Sequence, residues 1–203
     1  MKDCCEIQAD LSVRQRRVLE IALAINAAMF AVELVAGLLA HSTALLADSV
    51  DMLGDAMVYG FSLYVVARQP HWQARAAMLK GFIMLAFGLG VLIEAVAKVF
   101  RGTVPSAETI GLVGILALAA NAMVLAMLSR HRADDINMRS VWLCSRNDVI
   151  ANVAVLIAGV GVSVTDAAWP DISVGVGIAL LFSLSAAGIV RDAARSRHEV
   201  RAT

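Results

Sequence analysis

The segment His41-Ser42-Thr43-Ala44-Leu45-Leu46-Ala47-Asp48-Ser49-Val50-Asp51-Met52-Leu53-Gly54-Asp55 decides how this chain folds. Three acids, Asp48, Asp51 and Asp55, stand in an otherwise apolar run at i, i+3 and i+7, the spacing of one helix face. The run continues to about residue 66, enough for a helix of about 20 residues that crosses a bilayer. An acid at the centre of such a helix costs roughly 2.5–3.5 kcal/mol, and three ionised ones on the order of 8–10 kcal/mol. A chain keeps that arrangement only where the acids have a partner or a task.

The rest of the sequence places this helix in a membrane. Of 203 residues, 60% are apolar and 17% charged, against roughly 25% charged in an average soluble domain. Mean hydropathy is +0.75 for a mass of 21.5 kDa. A soluble domain of this size has too little interior to hide that much apolar side chain. Lys plus Arg equals Asp plus Glu at 17 each, so no net field points to nucleic acid. An ordinary cytosolic enzyme, a disordered chain and a basic nucleic-acid binder are excluded.

Apolar stretches predict six spans, at roughly 17–40, 43–66, 76–99, 108–129, 141–163 and 171–190. Pro70, Pro105 and Pro170 fall between them, where helix breakers belong. Trp72, Trp142 and Trp169 lie at span edges, as an interfacial belt would have them. The expected organisation is a tail at 1–16, a six-helix transport domain at 17–190 and a tail at 191–203. The first 16 residues are polar with no apolar core, so the first span is expected to act as its own insertion signal. Of the 17 Lys and Arg, 15 lie in or at the borders of the two tails and the second and fourth connections, counting Arg146 at the start of the fifth span, and two, Lys98 and Arg101, lie on the other side. Both termini are therefore expected in the cytoplasm. The fold class is an all-α membrane protein of six transmembrane helices.

The fifth span adds Cys144 and Asp148 at i, i+4, with Asn152 one turn on. The second span enters from outside and the fifth from inside. At 1.5 Å per residue, Asp55 is about 18 Å below one face and Asp148 about 12 Å above the other, in a core about 30 Å thick. Asp51, Asp55, Cys144 and Asp148 can thus share one level. Three carboxylates and a thiolate form a four-coordinate set of the kind zinc uses, and the thiolate favours zinc, cadmium or cobalt over magnesium, calcium or manganese. Acids this close cannot all ionise without a cation, so protons share the empty site and metal displaces them. A site of this kind open alternately to each side is a metal/proton antiporter.

Ser42 to Asp55, with the second pair on the fifth span, resembles the cation diffusion facilitator family of divalent cation efflux transporters, over essentially the whole chain. The resemblance implies metal binding by Asp51 with Asp55 and by Cys144 with Asp148, and a homodimer in the bilayer. Cys144 stands where that family usually has His or Asp. The chain reads as a short form, without the family's cytoplasmic C-terminal domain and His-rich loop, and a bacterial inner membrane is the expected location.

Other polar residues carry lesser expectations. Asp48, Asn152 and Glu33 are candidates for supporting the ligands or relaying protons. Asn26 and Asn121 are expected to bond between helices. Glu94 and Lys98, at i, i+4 near a span end, are expected to pair and snorkel, and Arg146 to snorkel to headgroups. Cys4 and Cys5, beside Asp3 and Glu6, could capture a soft ion weakly. His41, His71, His131 and His198 read as loop or tail residues. No cofactor is expected; the metal is cargo. Phospholipid head-group transferases and intramembrane aspartyl proteases use acids on membrane helices too, but their Asp-Gly-xx-Ala-Arg and Gly-x-Gly-Asp signatures do not occur here. An alternative to the transporter is a membrane metal sensor or accessory subunit that does not transport.

Overall fold

A computed structural model describes residues 13–64, 70–133 and 136–202. Six helices follow in order: α1 Val13–Ala40, α2 Thr43–Tyr64, α3 Pro70–Arg101, α4 Ala107–Ser129, α5 Ile136–Thr165 and α6 Trp169–Ala202. Their apolar centres coincide with the expected spans. Among the described residues, five are long and apolar enough to cross a membrane. α2 differs because any 18-residue window within it holds Asp48, Asp51 and Asp55. The integral membrane character is carried by those five, and α2 packs among its neighbours.

One proline sits differently from expectation. Pro170 is the second residue of α6. It occupies the first helical turn, where the missing N–H has no intrahelical partner to lose and the fixed φ suits the helix. Pro70 precedes the apolar part of α3, as expected. Pro105 lies in the α3–α4 connection.

α2 packs against α1, α3, α5 and α6, while α3 packs on α6 and α4 on α1 and α5. Every residue from Ser42 to Met52 is buried. Many large apolar side chains of the other helices point outward, among them Phe100 at 85% and Leu39 at 77% exposure. An apolar surface of that kind is a lipid-facing one. Trp169 is exposed at a helix end. Trp142 is stacked instead: Arg132 and Arg146 lie 5.4 and 5.7 Å from its ring centroid, so Arg146 is held over an aromatic face. The side chain of Trp72 lies outside the described residues.

Two apolar clusters flank the level of the acids. One joins Leu45 and Val50 of α2 to Val91, Ile110, Val155 and Ile178. The other joins Tyr59 of α2 to Leu19, Val124, Leu128, Met138 and Val141. Asp51, Asp55 and Asp148 fall between them in chain order along α2 and α5.

The end of α2 that the charge pattern assigns to the outside is fastened by α6. Ser42 caps the helix, its Oγ accepting from the Leu45 amide at 3.1 Å. Asp171 accepts from the Ser42 hydroxyl at 2.5 Å and from the amides of Thr43 and Ala44 at 2.7 and 3.2 Å. Its carboxylate thus satisfies free N–H groups at the positive end of α2. Lys98 of α3 completes the arrangement, donating to Asp171 and to the carbonyl of His41. Gly175, one turn after Asp171, meets α2 so closely that a Cβ there would fall 2.6 Å from the Thr43 carbonyl carbon. The expected Glu94–Lys98 pair is therefore absent: Lys98 is buried at 1% exposure, and Glu94 pairs with Arg101 instead.

Candidate metal centre

Helix geometry brings the site together. Asp51 and Asp55 are four residues apart and emerge from one face of α2, one turn above the other. α5 runs beside α2 and contributes Asp148. One carboxylate oxygen from each of the three lies within 4.8 Å of the others. All three residues are buried, at 6, 7 and 6% exposure. Asp148 lies within hydrogen-bonding reach of Asp51 and Asp55, yet its Oδ2 has no partner among the described residues. Three carboxylates at this distance repel one another when ionised, and burial weakens the solvent screening that would relieve it. A divalent cation, or shared protons, removes the conflict.

Cys144 precedes Asp148 by one turn and is half-buried. It lies within electrostatic reach of Asp148 and Tyr59, but its sulfur is not one of the atoms in the mutual 4.8 Å group. The three acids form the compact part of the centre, and Cys144 stands at its margin.

Asp48, one turn before Asp51, has a different environment. Asn152 Nδ2 donates to both of its oxygens at 2.9 Å. Asn152 Oδ1 in turn accepts from Asn121 Nδ2 at 2.9 Å. This chain ties α2, α5 and α4 together and occupies the Asp48 carboxylate. Asn26 does not bond between helices as expected: its Nδ2 donates to the Ala22 carbonyl of its own helix at 3.0 Å. A short amide finds the carbonyl one turn back more readily than a distant neighbour.

Glu33 of α1 is fully buried, and neither carboxylate oxygen has a hydrogen-bond partner among the described residues. It lies within electrostatic reach of Asp48 and Asp51. Cys4 and Cys5 lie outside the described residues, as do the side chains of His71 and His198. His41 adopts a left-handed backbone, with φ of 54°, in the tight α1–α2 turn.

Two contributors went unnoticed in the sequence. Tyr59, fully buried, donates from its hydroxyl to Asp55 Oδ2 at 3.1 Å. Its position four residues after Asp55 was the available signal. Asp171 is the second. It stands at the start of the sixth apolar stretch, and nothing local in the sequence connects it to α2.

A family model for the cation efflux transmembrane domain matches residues 19–196. The Metal cation efflux system protein CzcD of Cupriavidus metallidurans is 28% identical over 176 residues, 81% of this chain and 56% of that protein. The Cation efflux system protein CzcD of an Alcaligenes strain matches to the same extent. The human Calcium/manganese antiporter SLC30A10 is 32% identical over 117 residues, 51% of this chain and 24% of that protein. The chain spans about half the length of the bacterial relatives it matches.

Proposed function

The chain belongs to the cation efflux transmembrane-domain family, and from that membership we propose that it carries a divalent metal cation out of the cytoplasm in exchange for protons. The observation that supports this most directly is the convergence of Asp51, Asp55 and Asp148 in the buried centre of a membrane bundle, with one oxygen of Asp148 unpartnered. Acids kept at this cost are useful where a cation must be held and released. Asp51, Asp55 and Asp148 bind the metal in this reading, and Cys144 completes the shell by a small movement of its side chain.

Zinc is the preferred cargo. Three carboxylates and a thiolate suit a four-coordinate ion, and the sulfur argues against manganese and calcium. The human relative is named for calcium and manganese, the ions that an all-oxygen set would serve. Cadmium, cobalt and iron remain compatible with the donor set. Protons exchange with the metal because the ligands must shed them to bind it. The bacterial relatives support a bacterial inner membrane, and the family resemblance supports a homodimer.

The test is zinc-driven proton movement in proteoliposomes, with a pH-sensitive dye inside and Asp55→Ala beside the native protein. Zinc should drive proton flux in the native protein alone. Preserved flux in Asp55→Ala would overturn the site. Zinc binding without movement of zinc or protons would instead make the chain a sensor or accessory subunit.

A further inference from the structure

Tyr59 is a polar side chain bonded to one of the acids, and the proposed transport cycle leaves it without a task. It belongs to one buried cluster with Leu19, Val124, Leu128, Met138 and Val141, from α1, α4 and α5, and its exposure is 0%. A ring packed on that many sides cannot swing its hydroxyl elsewhere. The hydroxyl donates to Oδ2 of Asp55 at 3.1 Å, and Asp148 and Cys144 are its other charged or ionisable neighbours.

A carboxylate has two oxygens that can bind a metal. Calcium takes six to eight oxygen ligands and often draws both oxygens of one carboxylate, and manganese favours an octahedral set of oxygens. Zinc in a four-coordinate site needs only one atom from each ligand. A donor fixed on Asp55 Oδ2 competes with a second metal–oxygen bond from the same carboxylate, so Asp55 is held to one oxygen toward the cation. With one oxygen each from Asp51 and Asp148 and a sulfur from Cys144, the count stops at four.

We infer that Tyr59 is a specificity-determining residue, which holds Asp55 to coordination through a single oxygen and so favours a four-coordinate ion over larger, oxygen-rich ones. This rests on the reading of Asp51, Asp55 and Asp148 as the metal site. Tyr59 acts through Asp55 as a positioning residue and is not itself a ligand.

Tyr59→Phe is the informative variant, because it keeps the packed ring and removes only the donor. Zinc and manganese binding would be measured by calorimetry on the purified protein in nanodiscs, for the native chain, Tyr59→Phe and Asp55→Ala. The expected result is a preference for zinc over manganese that falls by about tenfold in Tyr59→Phe, the scale on which groups bonded to a ligand tune metal affinity. X-ray absorption at the zinc edge should show added oxygen scattering in the variant, from the freed Oδ2. An unchanged preference, or loss of both metals by the same factor, would reduce Tyr59 to a packing residue and overturn the inference. If Asp55→Ala binds zinc as the native chain does, the metal-site reading falls and Tyr59 with it. If Asp55→Ala loses zinc while Tyr59→Phe keeps the native preference, the inference about Tyr59 alone is overturned.

Discussion

Lys98 Nζ on α3 lies 2.7 Å from Oδ2 of Asp171 on α6, with the two side chains 1% and 0% exposed. An ion pair this deeply buried is held by geometry as much as by charge, since each partner loses its water. Here the carboxylate also receives the Ser42 hydroxyl and two amides of α2. Three helices meet in a single carboxylate.

Lys98→Met should therefore destabilise the protein by roughly 3–5 kcal/mol, because it strands a buried carboxylate. The double variant Lys98→Met, Asp171→Asn should recover part of that loss. Thermal unfolding of the singles and the double in one detergent measures the coupling. Strict additivity of the two singles would mean that the pair does not interact energetically.

Asn152→Ala removes the donor to Asp48 and the acceptor for Asn121. Each buried polar group left without a partner costs about 1–3 kcal/mol. A loss of stability in that range is expected, and Asn152→Asp should be worse, since it sets a second acid against Asp48. A melting temperature unchanged in Asn152→Ala would show that the chain of amides contributes nothing to holding α2, α4 and α5.

In the proposed site, Cys144→Asp replaces a soft donor with a hard one. The ranking of transported metals should then move from zinc toward manganese or iron. Flux measured across a metal panel tests this. An identical ranking would remove Cys144 from the coordination shell and leave the cargo bound by carboxylates alone.

Zinc binding should weaken as pH falls. In the proposed site metal and protons compete for the same carboxylate oxygens, so the proton-bound form gains at the expense of the metal-bound one in acid. Calorimetry in buffers of different ionisation enthalpy should register protons released for each zinc bound. Binding without proton release would be at odds with exchange transport.

The acids of α2 were legible because their cost in an apolar helix makes them conspicuous, and a fixed rise per residue was enough to place Asp148 at their level. Helix centres were legible from apolar length. The partners of Lys98 and Asn26 were not. Local spacing offered Glu94 to Lys98, while its partner Asp171 stands 73 positions away and comes near only once α3 and α6 pack together. Asn26 carries no mark that distinguishes a bond to its own helix from one to a neighbour. Tyr59 was hidden for a related reason: an aromatic residue in an apolar run reads as core, and its ring is core, while only the hydroxyl has further work. Pro170 was misplaced because a helix breaker and a helix initiator are the same residue at different turns.

The near contact of Gly175 with Thr43 gives α2 a fulcrum. With Asp171 gripping its first amides, that end of the helix has little freedom to translate. Asp55 lies 12 residues further along, an arm of about 18 Å. A swing of about 10° around the pinned end would carry Asp55 by about 3 Å, more than a metal–oxygen bond of about 2 Å tolerates. In the proposed transport cycle, a modest angular change at that pivot would be geared into release at the load, and Gly175→Ala would jam the bearing without touching the load.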